Sequence, residues 1–149
     1  MDHETAMRAA IAAAAANPAA PFGAVIVDRE RGKILARGVN HASTDPSAHG
    51  EIDALRALWA SGPPSDPGRL ALYTTAEPCP MCQGALLWAR LGTLVYGTSI
   101  PTLVSLGWDQ IDQRAEELVQ RTPFWTMEVV GGVLEAACDA LFEAATDRG

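Results

Sequence analysis

Two short segments carry side chains suited to holding a metal ion: His49-Gly50-Glu51 and, about thirty residues later, Pro78-Cys79-Pro80-Met81-Cys82. One imidazole and two thiolates fill three corners of a tetrahedral zinc site. The fourth corner stays open for water, the catalytic rather than the closed structural arrangement. Cys79 and Cys82 are three apart, so at a helix start they occupy neighbouring positions of one turn. Free N–H groups and the helix dipole favour thiolates there. Pro80 suits the first helical position, where its missing N–H is not needed. Glu51, two residues beyond His49, can reach the water without being a fourth ligand, take its proton and deliver it to a leaving amine. Hydrolytic deamination needs that pairing: a hydroxide to attack an amidine-like ring carbon and a shuttle to protonate the departing ammonia. A structural zinc site would need a fourth ligand, and only His49 lies near enough in sequence to join the two Cys. A redox C-x-x-C pair does not explain the His-x-Glu segment ahead of it. Cys138, among apolar helical neighbours, reads as a buried small hydrophobe.

Both segments must be delivered to one place. Breaker-free residues 3 to 16 favour a helix ending near Asn17-Pro18. Residues 22–27 and 33–39, β-branched and apolar around the charged turn Asp28–Gly32, read as an antiparallel hairpin. A helix over 47–60 carries Ile52, Leu55, Leu58 and Trp59 at helical spacing, and the breaker-dense stretch 61–68 is a surface loop. Then follow a strand at 70–75, a helix at 80–90 and a strand at 93–98, an order that implies a parallel, right-handed crossover. Residues 101–108 read as irregular or a short helix, 110–121 as a polar helix, 126–130 as a fifth strand and 133–145 as a closing amphipathic helix. The result is an α/β layer sandwich, one domain over residues 1–149. Successive helices of such a sheet begin at its carboxyl edge, so the two segments can converge there.

Eighteen acidic against eleven Lys and Arg residues give a net charge of −7, which disfavours a polyanionic partner such as nucleic acid. No apolar run is long enough for a bilayer, so no membrane partner is expected. The N-terminus lacks the features of a secretory signal and three Cys make a poor disulfide framework, so a cytoplasmic location is expected. Arg29, Arg31 and Lys33 read as a solvated hairpin tip, His3 and His41 as surface residues, and Trp88 as core. His41 could also line the mouth of the crevice. For Phe124-Trp125, core, interface and lid all remain open.

Over most of its length the chain resembles the cytidine deaminase-like superfamily of zinc-dependent nucleobase and nucleoside deaminases. The likeness runs through residues 21–27, Asn40, Asp45-Pro46-Ser47-Ala48-His49-Gly50-Glu51, residues 72–82 and Gly84-Ala85. An H-x-E segment followed by P-C-x-x-C is the signature of such enzymes. The resemblance implies a three-layer α/β/α sandwich with a five-stranded mixed sheet, one zinc ion per chain held by His49, Cys79 and Cys82, Glu51 as catalytic proton shuttle, and a homodimer. It implies Asn40, Phe22 and Ala48 as substrate-binding residues.

Ser105-Leu106-Gly107-Trp108-Asp109 is similar to the Gly-aromatic-Asp segment of the bacterial guanine deaminase branch. That likeness implies Asp109 accepting from a purine's N–H groups and Trp108 or Phe22 stacking on its ring. Asp109, Asp112 and Glu116 also fit the acidic first turns of a helix. The expected substrate is a small molecule, guanine or a related aminoheterocycle. Wobble-adenosine tRNA deaminases share E-P-C-x-M-C but are less similar beyond Tyr96, and His-Gly-Glu also resembles fungal cytosine deaminases. A zinc module without catalysis is the remaining alternative.

Overall fold

A computed structural model describes residues 1–148. The chain runs α1 (His3–Ala14), β1 (Gly23–Asp28), β2 (Lys33–Val39), α2 (Gly50–Ala60), a short 3-10 turn (Pro67–Arg69), β3 (Leu70–Ala76), α3 (Pro80–Trp88), β4 (Thr93–Thr98), α4 (Ile100–Ser105), α5 (Ala115–Gln120), β5 (Glu128–Val130) and α6 (Glu135–Arg148). The sheet order is β2-β1-β3-β4-β5. β1 pairs antiparallel with both β2 and β3, whereas β3, β4 and β5 are mutually parallel. This is the expected five-stranded mixed sheet between helices.

Alternation along the strands decides which layer each side chain joins. Ala24, Ile26, Leu72 and Leu94 point into one core with Ala54 and Leu58 of α2 and Leu86 and Leu87 of α3. Val25, Val27, Tyr73 and Val95 point into the opposite core, with Met7 and Ala10 of α1 and Cys138 of α6. β1, β3 and β4 are buried along their whole length because helices cover both faces. Cys138 is fully buried, as its neighbours predict.

Several expectations need correction. The helix predicted over 47–60 begins only at Gly50, and the polar helix over 110–121 is limited to Ala115–Gln120; residues 106–114 form a loop. Capture of Ala115 N–H by Glu77 fixes the start of α5 there and overrides the local propensity. His3 is not in a frayed end: Asp2 caps α1 by accepting from Thr5 N–H, and His3 Nδ1 lies 2.8 Å from the Tyr73 hydroxyl. Trp88 is 73% exposed, because it ends α3 on the outer face, just before Arg90 adopts a left-handed conformation. Phe124 stacks on Trp88 at 4.6 Å, while Trp125 packs on the core and donates from Nε1 to Leu91 O.

The approach of α2 to β2 leaves no room for a side chain at Gly38, where a Cβ would lie 2.3 Å from Gly50 O and 2.4 Å from Ala54 N. Both neighbours are backbone. Gly38→Ala is therefore expected to destabilise the protein by about 3 kcal/mol, measured as a lower urea midpoint at unchanged slope.

Candidate active site

His49 and Cys79 hold equivalent places: each is the residue immediately before the first turn of its helix, α2 and α3 respectively. Neither side chain caps its helix, which leaves the imidazole and the sulfur free to face one another. His49 Nδ1 and Cys79 Sγ lie 3.6 Å apart, and with Cys82 Sγ all three ligand atoms fall within 4.8 Å of one another. Three soft or borderline donors with that spacing fit a tetrahedral zinc ion and leave one corner unfilled by protein. Gly50 permits this placement, since a Cβ there would lie 2.4 Å from Phe22 O.

Glu51 is 3% exposed and accepts from the Thr74 hydroxyl at 2.8 Å. Burial raises its pKa above the ordinary carboxylate value, which makes its neutral form more accessible than that of a solvated Glu. The cluster opens into a cavity of about 350 Å³ whose lining includes Phe22, Asn40, Glu51, Trp108 and Asp109. Five of the predicted side chains outside the metal trio are thus brought together. Ala48 is buried beside them, its carbonyl accepting from His41 N–H at 2.8 Å. His41 itself is exposed, with Nε2 3.6 Å from Asp53.

Sequence reasoning missed three contributors. Phe142 of α6 packs against Phe22 at 4.9 Å and Trp108 at 5.8 Å, bracing both aromatic walls; nothing in its local pattern distinguishes it from ordinary core. Gln110 also lines the cavity. Glu77 lines it too, and its place beside Pro78-Cys79 was the available signal.

The model of the cytidine and deoxycytidylate deaminase zinc-binding region matches residues 1–98. The chain belongs to this deaminase family. The deaminase is 37% identical over 137 residues to the guanine deaminase of Bacillus subtilis, spanning 84% of this chain and 85% of that one. Its fold is similar to a solved guanine deaminase from Nitrosomonas europaea, with a TM-score of 0.84 and 28% identity, covering 97% of this chain and 84% of the other. It is also similar to NE0047 solved in complex with 2,6-diaminopurine, again with a TM-score of 0.84 and 28% identity, over 98% and 82% of the two chains.

Within the deaminase's ligand cluster, hydrogen bonding from Cys82 draws the Cys79 thiol down to about 4, and His49 adds to the effect. Cys82 is pushed up in turn, because it holds the shared proton and is buried. The hydrogen bond to Cys79 raises His49 above its usual value. Zinc requires both sulfurs ionised and the imidazole neutral, so protons on Cys82 and His49 compete with it. Zinc affinity, measured against a competing chelator, is expected to fall at least about tenfold as pH drops by about two units from neutrality. Cys82→Ser should weaken binding at every pH; affinity independent of pH would contradict the ligand assignment.

Proposed function

We propose that residues 1–149 act as one catalytic domain that hydrolytically deaminates a free, neutral aminoheterocycle, guanine being the first substrate to test. The carrying observation is the cavity itself. It joins the zinc ligands and a buried carboxylic acid to two aromatic walls, and no Lys or Arg lines it among the described residues. Its volume lies near the small end of the range for ligand pockets, about 300–1,000 Å³. The cations needed to hold a phosphate or an RNA backbone are missing from that lining, which favours a free base over the wobble-adenosine alternative. The guanine deaminases similar in sequence and fold, and the similar protein binding 2,6-diaminopurine, support a purine.

The chemistry supplied by zinc when bound is Lewis-acid activation of water. Glu51 would then have the work of moving protons: it passes one from the water to the ring nitrogen and a second, from the hydroxyl added to the ring carbon, to the departing amine. Thr74 fixes its orientation. Asn40 is anchored through its main chain, donating N–H to Phe22 O and accepting from Asn17 Nδ2. Its side-chain Oδ1 accepts from Ala42 N–H at 3.3 Å, which leaves the amide NH2 to donate to the heterocycle. Asp109 is exposed at the cavity rim, where it can accept from ring or exocyclic N–H groups. Phe22 and Trp108 meet edge to face at 5.4 Å and form a corner against which a planar ring packs. Trp108 Nε1 and Gln110 Oε1 are buried without a partner among the described residues.

A homodimer fits the outer face of α3. Trp88 and Phe124 are stacked yet exposed there, and Met81 is exposed on the same helix. Stacked aromatics left in water are more often covered in an assembly. No helix of the described residues is long and apolar enough to cross a membrane. The cysteines are free thiols, which suits a reducing cytoplasm.

Purified protein is expected to carry one zinc ion per chain and to release ammonia from guanine or a related aminopurine. Zinc-loaded protein inert towards all aminopurines and aminopyrimidines would refute this reading. Glu51→Gln should keep its zinc and fold while kcat falls about 1,000-fold, separating an enzyme from a zinc-stabilised binding module. Sedimentation should show a dimer that Trp88→Ala weakens; a monomer at all concentrations would remove the assembly from the proposal.

A further inference from the structure

Glu77 is a buried carboxylate that the proposed proton transfers do not use. Its side chain is 1% exposed, yet it receives N–H groups from two separate parts of the chain. Oε1 accepts from Ile100 N–H at 2.9 Å, where α4 begins. Oε2 accepts from Ala115 N–H at 2.8 Å, where α5 begins. Arg114 Nε lies 2.9 and 3.0 Å from the two oxygens, and Arg114 Nη2 donates to the Tyr96 hydroxyl at 3.1 Å. One carboxylate therefore holds both ends of the segment 100–115.

That segment carries Trp108, Asp109 and Gln110, which form part of the cavity lining. The same carboxylate belongs to a residue joined through Pro78 to Cys79, and its own N–H donates to Thr98 O at 2.7 Å. Ile100 N–H and Ala115 N–H are both first-turn groups that the helices' own local caps leave free. Ser99 already accepts from Thr102 N–H at the start of α4, and Glu117 already accepts from Arg114 N–H at the start of α5. The Glu77 bonds are additional and run between elements.

We propose that Glu77, with Arg114, is a positioning residue that sets the distance between the metal-ligand turn and the substrate wall, and so determines which ring the cavity accepts. This rests on the deaminase reading above. Phe142 and the Leu103 carbonyl hold Trp108 locally, but the loop 106–114 has no helix or strand of its own, and the two anchors fix where the whole segment sits relative to Cys79. Charge-assisted bonds to both ends remove that freedom before the substrate arrives.

Glu77→Gln is the decisive variant, because it keeps the size but brings an NH2 group against N–H donors. The zinc-loaded variant should retain one zinc ion per chain. Its KM for the aminoheterocycle that the wild type turns over should rise about tenfold or more, with kcat changing less than about threefold. Amide hydrogen exchange over residues 106–115 should accelerate while β1 stays protected. Arg114→Lys, which keeps the charge but loses the planar fork, should move KM and loop exchange the same way by a smaller factor. Arg69→Ala, which removes the distant ion pair with Asp28, is the control for general destabilisation. A Glu77→Gln protein with unchanged KM and loop exchange, or one altered only as Arg69→Ala is, would overturn the proposal. Should Glu77→Gln fail to fold, the Arg114→Lys comparison decides by the same criteria. Should the wild type turn over no substrate, the functional reading fails, while the exchange measurement still decides whether Glu77 holds the wall.

Discussion

The site depends on two helix starts meeting. His49 and Cys79 are 30 residues apart in sequence, and their ligand atoms come within 3.6 Å because α2 and α3 both begin at the same edge of the sheet. That meeting is set by backbone contact. Gly38 and Gly50 let α2 lie against β2 and the start of β1 with no side chain between them. Parallel pairing of β3 with β4 requires α3 to cross over the sheet and start where β3 ends. The metal ligands are therefore consequences of strand order as much as of local sequence. A closed, tight scaffold also means that a cation meets ligands already grouped, with little chain entropy left to lose on binding.

Two glutamates at this edge show how environment separates roles that residue type alone does not. Glu51 and Glu77 are each 3% exposed. Glu77 is surrounded by N–H donors from Ile100, Ala115 and Arg114. Glu51 meets the hydroxyl of Thr74, which also lies 3.0 Å from Ala76 O and has a single hydrogen to offer the two acceptors. The first surroundings hold a carboxylate still; the second leave a proton free to come and go. Divergent surroundings for two like groups are the usual mark of divided labour in a site.

The ligand candidates and the order of elements along the chain were legible in the sequence because each depends on short-range chemistry. Cys79, Pro80 and Cys82 read as a helix start, and the apolar runs around Asp28–Gly32 read as a hairpin; both stand in the structure. The misreadings have different causes. Residues 106–114 contain no strong breaker beyond Gly107, yet they form a loop that ends where Ala115 N–H is captured by a glutamate far away in sequence. Trp88 looked internal by spacing, but a residue at the last turn of a helix can point past the core edge. His3 gained a buried partner in Tyr73, 70 residues on. For the loop and for His3 the deciding contact is long-range, and periodicity carries no record of it.

Charge accounting links the scaffold to the choice of substrate. The cavity lining carries the acidic side chains of Glu51, Glu77 and Asp109 and, among the described residues, no Lys or Arg. Arg114 stands close by, but its guanidinium is committed to Glu77 and Tyr96. A phosphate-bearing relative of the substrate would enter a negative field and find no cation on the cavity lining. A neutral ring meets no such barrier, and its N–H groups find carboxylates where they need acceptors. The ion pair that holds the wall in place also commits to Glu77 a guanidinium that could have welcomed a nucleotide, so the geometry and the selectivity of the cavity follow from the same contact.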